Sequence, residues 1–243
     1  MNAYLMAAGH GVRLRPLTDK TAKCMLPIGG IPMIQYWVQA VAKSKQFEKI
    51  FINVHHCADQ VEQWAFSYRQ RLSVLNPDVK LCIIDERSKL FGTAGTLFFH
   101  GDTGENFMLA YTDTYSHEFF IRLDEIAGFW RVNPDKPLAG IITMHMPEDG
   151  SAGAVEHDMV GNILRFNEKS SSSDLAWSGI MFGRHDFMAE LSSKDYDLAR
   201  DVFPRLCGKM RILDHVDAYD MGRGLYEYEI LDRSVRSARV HTT

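Results

Sequence analysis

A chain of 243 residues with 46% hydrophobic and 24% charged side chains is long enough to bury a substantial core in one large domain. A formal net charge of −4 leaves no basic excess to displace counterions from a phosphate backbone, which argues against nucleic acid as a bulk partner. No apolar run approaches the roughly 18 residues of a membrane span, and Cys24, Cys57, Cys82 and Cys207 are scattered with no CxxC, so we expect no membrane partner and reduced thiols in a cytoplasmic protein.

The first element, YLMAAG from Tyr4 to Gly9, reads as a short apolar strand running into a glycine-bearing loop. Gly9 and Gly11 have no side chain to keep backbone N–H groups away from phosphate oxygens, so the loop reads as an anion cradle. Arg13, Arg15 and Lys23 add full positive charges, which a triphosphate of roughly three to four negative charges requires because backbone dipoles supply only partial ones. A dinucleotide-binding loop would need a third glycine where Leu14 stands, and a P-loop would need a closing Gly-Lys-Ser/Thr; neither is present.

Further along, MIQYWVQAVAK from Met33 spaces Ile34, Trp37, Val38 and Val41 as a helix face, and KIFINVHH follows as a buried strand. CADQVEQWAFSYRQRL then predicts a second helix, VKLCIID a third strand, and TAGTLFFH after Gly92 a third helix. NFMLAYTD is the next strand, delivering Asp113 at its carboxyl edge, followed by the helix HEFFIRLDEIAGFWRV and the strand AGIITMHM. This alternation predicts an α/β fold with a doubly wound, mainly parallel sheet, in which ligands collect at the carboxyl ends of the strands.

Beyond Pro147 the pattern changes to two short strands around Val160-Gly161-Asn162, a serine-rich tract at Ser170 to Ser173, and the strand WSGIMF. We expect a single domain with a core over 1–146 and a mixed or antiparallel extension over 147–243. HDFMAELSS and DLARDVFPRL read as helices, and VDAYDMGRG carries Asp220 towards a short final helix. His55-His56 could suggest zinc, but no third ligand has a metal-like spacing, so polar or packing roles are favoured.

The stretch LMAAGHGVRLRPLTDKTAKCMLP resembles the signature of the sugar-1-phosphate nucleotidyltransferases, with Gly9, Gly11, Arg13, Leu14, Pro16, Leu17, Thr18, Lys23, Leu26 and Pro27 in register. Val12 and Ala22 depart from it, replacing the usual Thr, Ser or Glu and the usual Pro. The resemblance implies transfer of a nucleotidyl group from a nucleoside triphosphate to a sugar 1-phosphate with release of pyrophosphate. Arg13 and Lys23 would offset phosphate charge as the catalytic cations. Ala7, Ala8, Gly9 and Gly11 would hold the nucleotide together with Glu86 and the Gly92-Thr93-Ala94-Gly95 segment.

Asp113 and Asp220 would hold Mg²⁺, with Asp113, Glu168, Lys169 and Gly179 on the acceptor side. Thr112 stands where the family more often has Gly, and Trp177 or Ser178 where it often has Asn, which leaves the acceptor open. AlaAlaGly at positions 7 to 9 leans towards UTP, with GTP and CTP open. Lys23-Cys24-Met25 also fits a cytidylyltransferase acting on phosphocholine, and the departures at Val12, Ala22 and Thr112 motivate a catalytically silent, nucleotide-sugar-binding homologue. With its last motif near Asp220, the sequence is expected to lack the C-terminal β-helix of some relatives; a homo-oligomer stays open.

Overall fold

The computed structural model describes residues 1–168 and 173–240. The first half alternates as read: β1 (Asn2–Met6), a hairpin of β2 (Pro27–Ile28) and β3 (Ile31–Pro32), α1 (Met33–Lys43), β4 (Lys49–Val54), α2 (Ala58–Leu75), β5 (Lys80–Asp85), α3 (Gly92–His100) and β6 (Asn106–Tyr111). Then come β7 (Thr114–Tyr115), α4 (His117–Val132), β8 (Ala139–His145), β9 (Ala154–His157), β10 (Ile163–Asn167), β11 (Leu175–Arg184), β12 (Met210–His215), β13 (Tyr219–Asp220) and α5 (Leu225–Val240).

Among the described residues nine strands form one sheet, and β5, β4, β1 and β6 lie side by side in parallel register. Strand β11 runs against both of its long neighbours, β6 and β8, while β12 closes the far edge parallel to β8. The sheet is thus a doubly wound, Rossmann-like core with one reversed strand, extended by the antiparallel β9–β10 pair. Strand β1 is buried on both faces, as a central parallel strand should be. Ala3 and Leu5 pack with α1, α2, α4 and α5 on one side, and Tyr4 packs with α3 and the 187–206 segment on the other.

Helix α1 begins and ends where its periodicity predicts, burying Met33, Ile34, Trp37, Val38 and Val41. Helix α4 is capped by Ser116, whose hydroxyl accepts the Phe119 N–H at 3.1 Å and satisfies one of the free donors of the first turn. Four expectations are corrected. The first strand leaves the sheet after Met6, so Ala7 to Gly9 already belong to the loop. The two helices read over 185–206 are short 3₁₀ and π turns, and Pro204, which has no N–H to donate, interrupts the second of them. The strand read as NFMLAYTD ends at Tyr111, two residues short of Asp113, and the final helix runs for 16 residues instead of being short. Among the described residues no helix is long and apolar enough to cross a membrane.

Candidate active site

The loop after β1 is shaped by two features of its sequence. Gly11 has φ +63°, and a Cβ there would stand 2.8 Å from Thr18 Cγ2 while the Thr18 hydroxyl donates to the Gly11 carbonyl at 2.8 Å. Only glycine lets the loop fold back this closely. The following 3₁₀ turn, Val12–Leu14, buries Leu14 and projects Arg13 into a cavity of about 400 Å³. Arg15 instead forms an ion pair with Asp19 at 3.3 Å between largely exposed side chains, and it lines neither of the two cavities at this sheet edge.

Asp113 lies two residues beyond the end of β6. Its predecessor Thr112 is buried and binds the end of β1 twice, through its N–H and its hydroxyl, both donated to the Met6 carbonyl at 3.2 and 2.8 Å. The Lys23 ammonium forms an ion pair with the Asp113 carboxylate, and both side chains are mostly shielded from water. Asp220 arrives from far away in sequence through the two-residue ladder of β13 against β7, in which it pairs with Thr114. The Met221 N–H donates to the Asp113 carbonyl at 3.0 Å, which locks the two aspartate segments together.

Burial pushes the Asp220 carboxyl up to about 6, with the negative charge of Asp113 adding to the effect. Lys23, the Gly222 N–H at 2.7 Å and Arg13 oppose that rise. Two carboxylates and two cations therefore converge where one carboxylate is already reluctant to ionise. Gly222 permits this approach: a Cβ on it would collide with the Lys23 ammonium and stand 2.9 Å from Asp113 Oδ2.

Arg13, Asp113, Glu168, Gly179 and Asp220 all line the larger cavity, together with the aromatic pair Tyr111 and Trp177, whose rings meet edge to face at 5.0 Å. Gly179 sits at a break in register between β11 and β8, with φ +85°, and a Cβ there would press on Tyr111 Cβ at 3.0 Å. A second cavity, of about 230 Å³, is lined by Ala8, Gly9, Gly92, Thr93 and Asn53. The two share Tyr111, Asp113 and Asp197 as a common wall. Burial beside Asp197 holds the Tyr111 phenol well above its ordinary value, so it is a neutral donor, and it donates to Thr93 Oγ1 at 3.2 Å.

Three residues expected at a nucleotide lie behind the smaller cavity's wall. Ala7, Glu86 and Ala94 are buried, and the Ala94 N–H donates to the Tyr196 carbonyl at 3.0 Å. Gly11 acts through the loop's shape, and Lys23 reaches the site through Asp113. Lys169 and Ser170 to Ser172 lie outside the described residues. The rings of His55 and His56 each bond a backbone carbonyl, of Glu86 and Thr18, at 2.7 Å, which is a loop-packing role.

Sequence reasoning passed over Asn53, Tyr111 and Asp197. Asn53 and Tyr111 are polar residues at or near the carboxyl end of an apolar strand, a signal that could have singled them out. Asp197 caps the π turn that follows it, accepting the Arg200 N–H at 3.0 Å, and nothing local marks it as part of a site.

Among the described residues no cluster of three or more His, Cys, Asp or Glu is arranged to hold a metal. Asp113 and Asp220 nevertheless fit Mg²⁺, a hard cation that usually takes one or two protein carboxylates and fills its remaining positions with water and phosphate oxygens. Burial, with the negative charge of Asp113 added to it, disfavours the ionised Asp220 carboxylate, and a cation held between the two aspartates would offset both effects.

The family model described as nucleotidyl transferase matches residues 2–221. UTP–glucose-1-phosphate uridylyltransferase of Synechocystis sp. is 30% identical over 219 residues, covering 85% of this chain and 55% of its own length. Choline-phosphate cytidylyltransferase of Streptococcus pneumoniae is 35% identical over 72 residues, 30% of this chain and 31% of that protein. The chain spans about half the length of the curated relatives it matches along most of its own length. In fold it is similar to a crystal structure of apo UDP-glucose pyrophosphorylase, with a TM-score of 0.79 at 17% identity over 98% of each chain.

Proposed function

This chain belongs to the nucleotidyl transferase family, and on that premise we propose that it transfers a nucleotidyl group from a nucleoside triphosphate, UTP foremost, to a sugar 1-phosphate. The observation that carries this reading is the pair of adjoining cavities that share Asp113 as a wall, with Arg13, Lys23 and Asp220 gathered around it. A nucleotide in the smaller cavity and a phosphorylated acceptor in the larger would meet at that wall. The choice of UTP rests on Ala7-Ala8-Gly9 and on the likeness to the uridylyltransferase.

In this reaction an oxygen of the acceptor phosphate attacks the α-phosphorus, and the bond to the β-phosphate oxygen breaks, so pyrophosphate leaves with the electron pair. No covalent enzyme intermediate is required, and the chain's contribution is alignment and charge. Arg13 would stabilise the departing pyrophosphate. Lys23, held by Asp113, would bridge the nucleotide and acceptor phosphates as their charges crowd together. Mg²⁺ held by Asp113 and Asp220 would supply Lewis-acid neutralisation of phosphate oxygens. Glu168 in the larger cavity would accept hydrogen bonds from acceptor hydroxyls, and Gly179 would let the acceptor lie close to the backbone.

A second acceptor belongs in the test. Tyr111 and Trp177 face the same cavity as Glu168 and Asp197, and aromatic rings beside carboxylates also attract a quaternary ammonium such as that of phosphocholine. Pyrophosphate release should therefore be measured with Mg²⁺, the common nucleoside triphosphates, and a panel of sugar 1-phosphates plus phosphocholine. Turnover with UTP and one sugar 1-phosphate is the expected result. Turnover with CTP and phosphocholine alone would replace the sugar reading, and nucleotide binding without turnover on any acceptor would point to a silent homologue.

Gly222→Ala offers a sharp check on the charge cluster. The added methyl displaces the far end of a flexible lysine, not backbone, so the fold should melt near the wild-type temperature. Turnover should nonetheless fall by about tenfold or more, the scale expected when a charge that stabilises the transition state is misplaced. Unchanged turnover would show that the Lys23–Asp113 contact is dispensable.

A further inference from the structure

Behind the smaller cavity a buried polar network joins four separate parts of the chain, and Asn53 is its hub. Its Oδ1 accepts the Ala7 N–H at 2.7 Å and the Ala8 N–H at 3.3 Å. Its Nδ2 donates to Glu86 Oε1 at 3.4 Å and to Thr96 Oγ1 at 3.3 Å. Glu86, with no exposed surface, also accepts the Thr96 hydroxyl at 2.5 Å and the Phe91 N–H at 3.4 Å. Two N–H groups on one side and a carboxylate on the other leave the carboxamide a single workable orientation.

We infer that Asn53 is a positioning residue for nucleotide selection, tying the loop after β1 to the start of α3 so that the two walls of the smaller cavity stand at a fixed separation. Gly9 and Ala8 form one wall, Gly92 and Thr93 the other, and Asn53 borders the cavity between them. With the Ala7 and Ala8 N–H groups already engaged by Asn53, the base is read by the groups whose places this network sets. Glu86 then acts through Asn53 and Thr96, not by touching the base. This inference rests on reading the smaller cavity as the nucleotide site.

Asn53→Asp keeps the acceptor that holds Ala7 and Ala8 but sets a second carboxylate against Glu86. Adding Glu86→Gln exchanges donor and acceptor: the new amide can donate to the carboxylate introduced at position 53 and to Thr96 Oγ1, whose one hydrogen then turns from position 86 to the Gly92 carbonyl, 2.7 Å away. Calorimetric binding of UTP, CTP, GTP and dTTP with Mg²⁺ should show N53D weakening the preferred nucleotide by about tenfold and narrowing its margin over the others. The acceptor KM should stay within about twofold. The N53D/E86Q protein should return to within about threefold of the wild-type affinity and recover its selectivity, which a general loss of stability would not permit.

Unaltered nucleotide affinity and selectivity in folded N53D, or a double variant as impaired as the single one, would overturn the assignment while leaving the enzyme reading intact. If N53D does not fold, Thr96→Val removes the hydroxyl that Asn53 and Glu86 share; it should weaken the preferred nucleotide in the same direction, and no change would overturn the assignment equally. A wild-type chain that binds none of the four nucleotides would reject the nucleotide reading of the cavity and this inference with it.

Discussion

Lys23→Ala should lower turnover by at least about a hundredfold while leaving the protein folded. Lys23 pairs directly with Asp113, and that pair lies within the cluster that also holds Asp220 and Arg13. Its ammonium offsets the two carboxylates and would offset the phosphates that meet there. Truncation removes both effects while leaving the packed apolar residues of the core in place. Pyrophosphate release under saturating substrates, compared with a thermal melt, separates the loss of charge from a loss of fold. Near-normal turnover would remove Lys23 from the reaction.

Trp37→Ala should destabilise the protein by about 3–5 kcal/mol, the range for truncating a large buried aromatic side chain. Trp37 is fully buried on α1, against Phe119 and Phe120 of α4 at centroid distances of 5.8 and 5.0 Å. Its indole N–H donates to the Thr114 carbonyl at 3.0 Å, one residue beyond Asp113 and in the strand that pairs with Asp220. The side chain therefore supports the core and the aspartate platform together. Trp37→Phe keeps much of the ring and should cost less, about 1 kcal/mol of it from the lost hydrogen bond. Urea unfolding of both variants tests this, and a wild-type midpoint for Trp37→Ala would show that α1 is not the platform's support.

The legible and illegible parts of the chain differ in how their partners are chosen. Helices α1 and α4 match their expected bounds because one periodic apolar face and the flanking residues specify each of them locally. The long α5 reads as short from its sequence, although Leu231 and Val235 are spaced for burial. It docks through contacts from far away: the Gly29 N–H donates to Asp232 at 2.7 Å and the Tyr228 hydroxyl to the Pro27 carbonyl at 2.9 Å. Strand β12 likewise depends on the free edge of β8, since an arginine and an aspartate within MRILDH give no clean alternation.

The alternating α/β plan, the glycine-bearing loop with its cations, and the identity of the charged groups available at the sheet edge are all written in the order of the residues. They are matters of local period, backbone freedom and charge, which a stretch of chain carries wherever it lies. It took the assembled fold to bring Asp220 to Asp113 through a two-residue ladder, to leave room for Lys23 beside Gly222, and to turn Glu86 inward to Asn53. Each is a contact between distant segments, and a buried polar group takes whichever partner the folded chain brings within hydrogen-bonding reach.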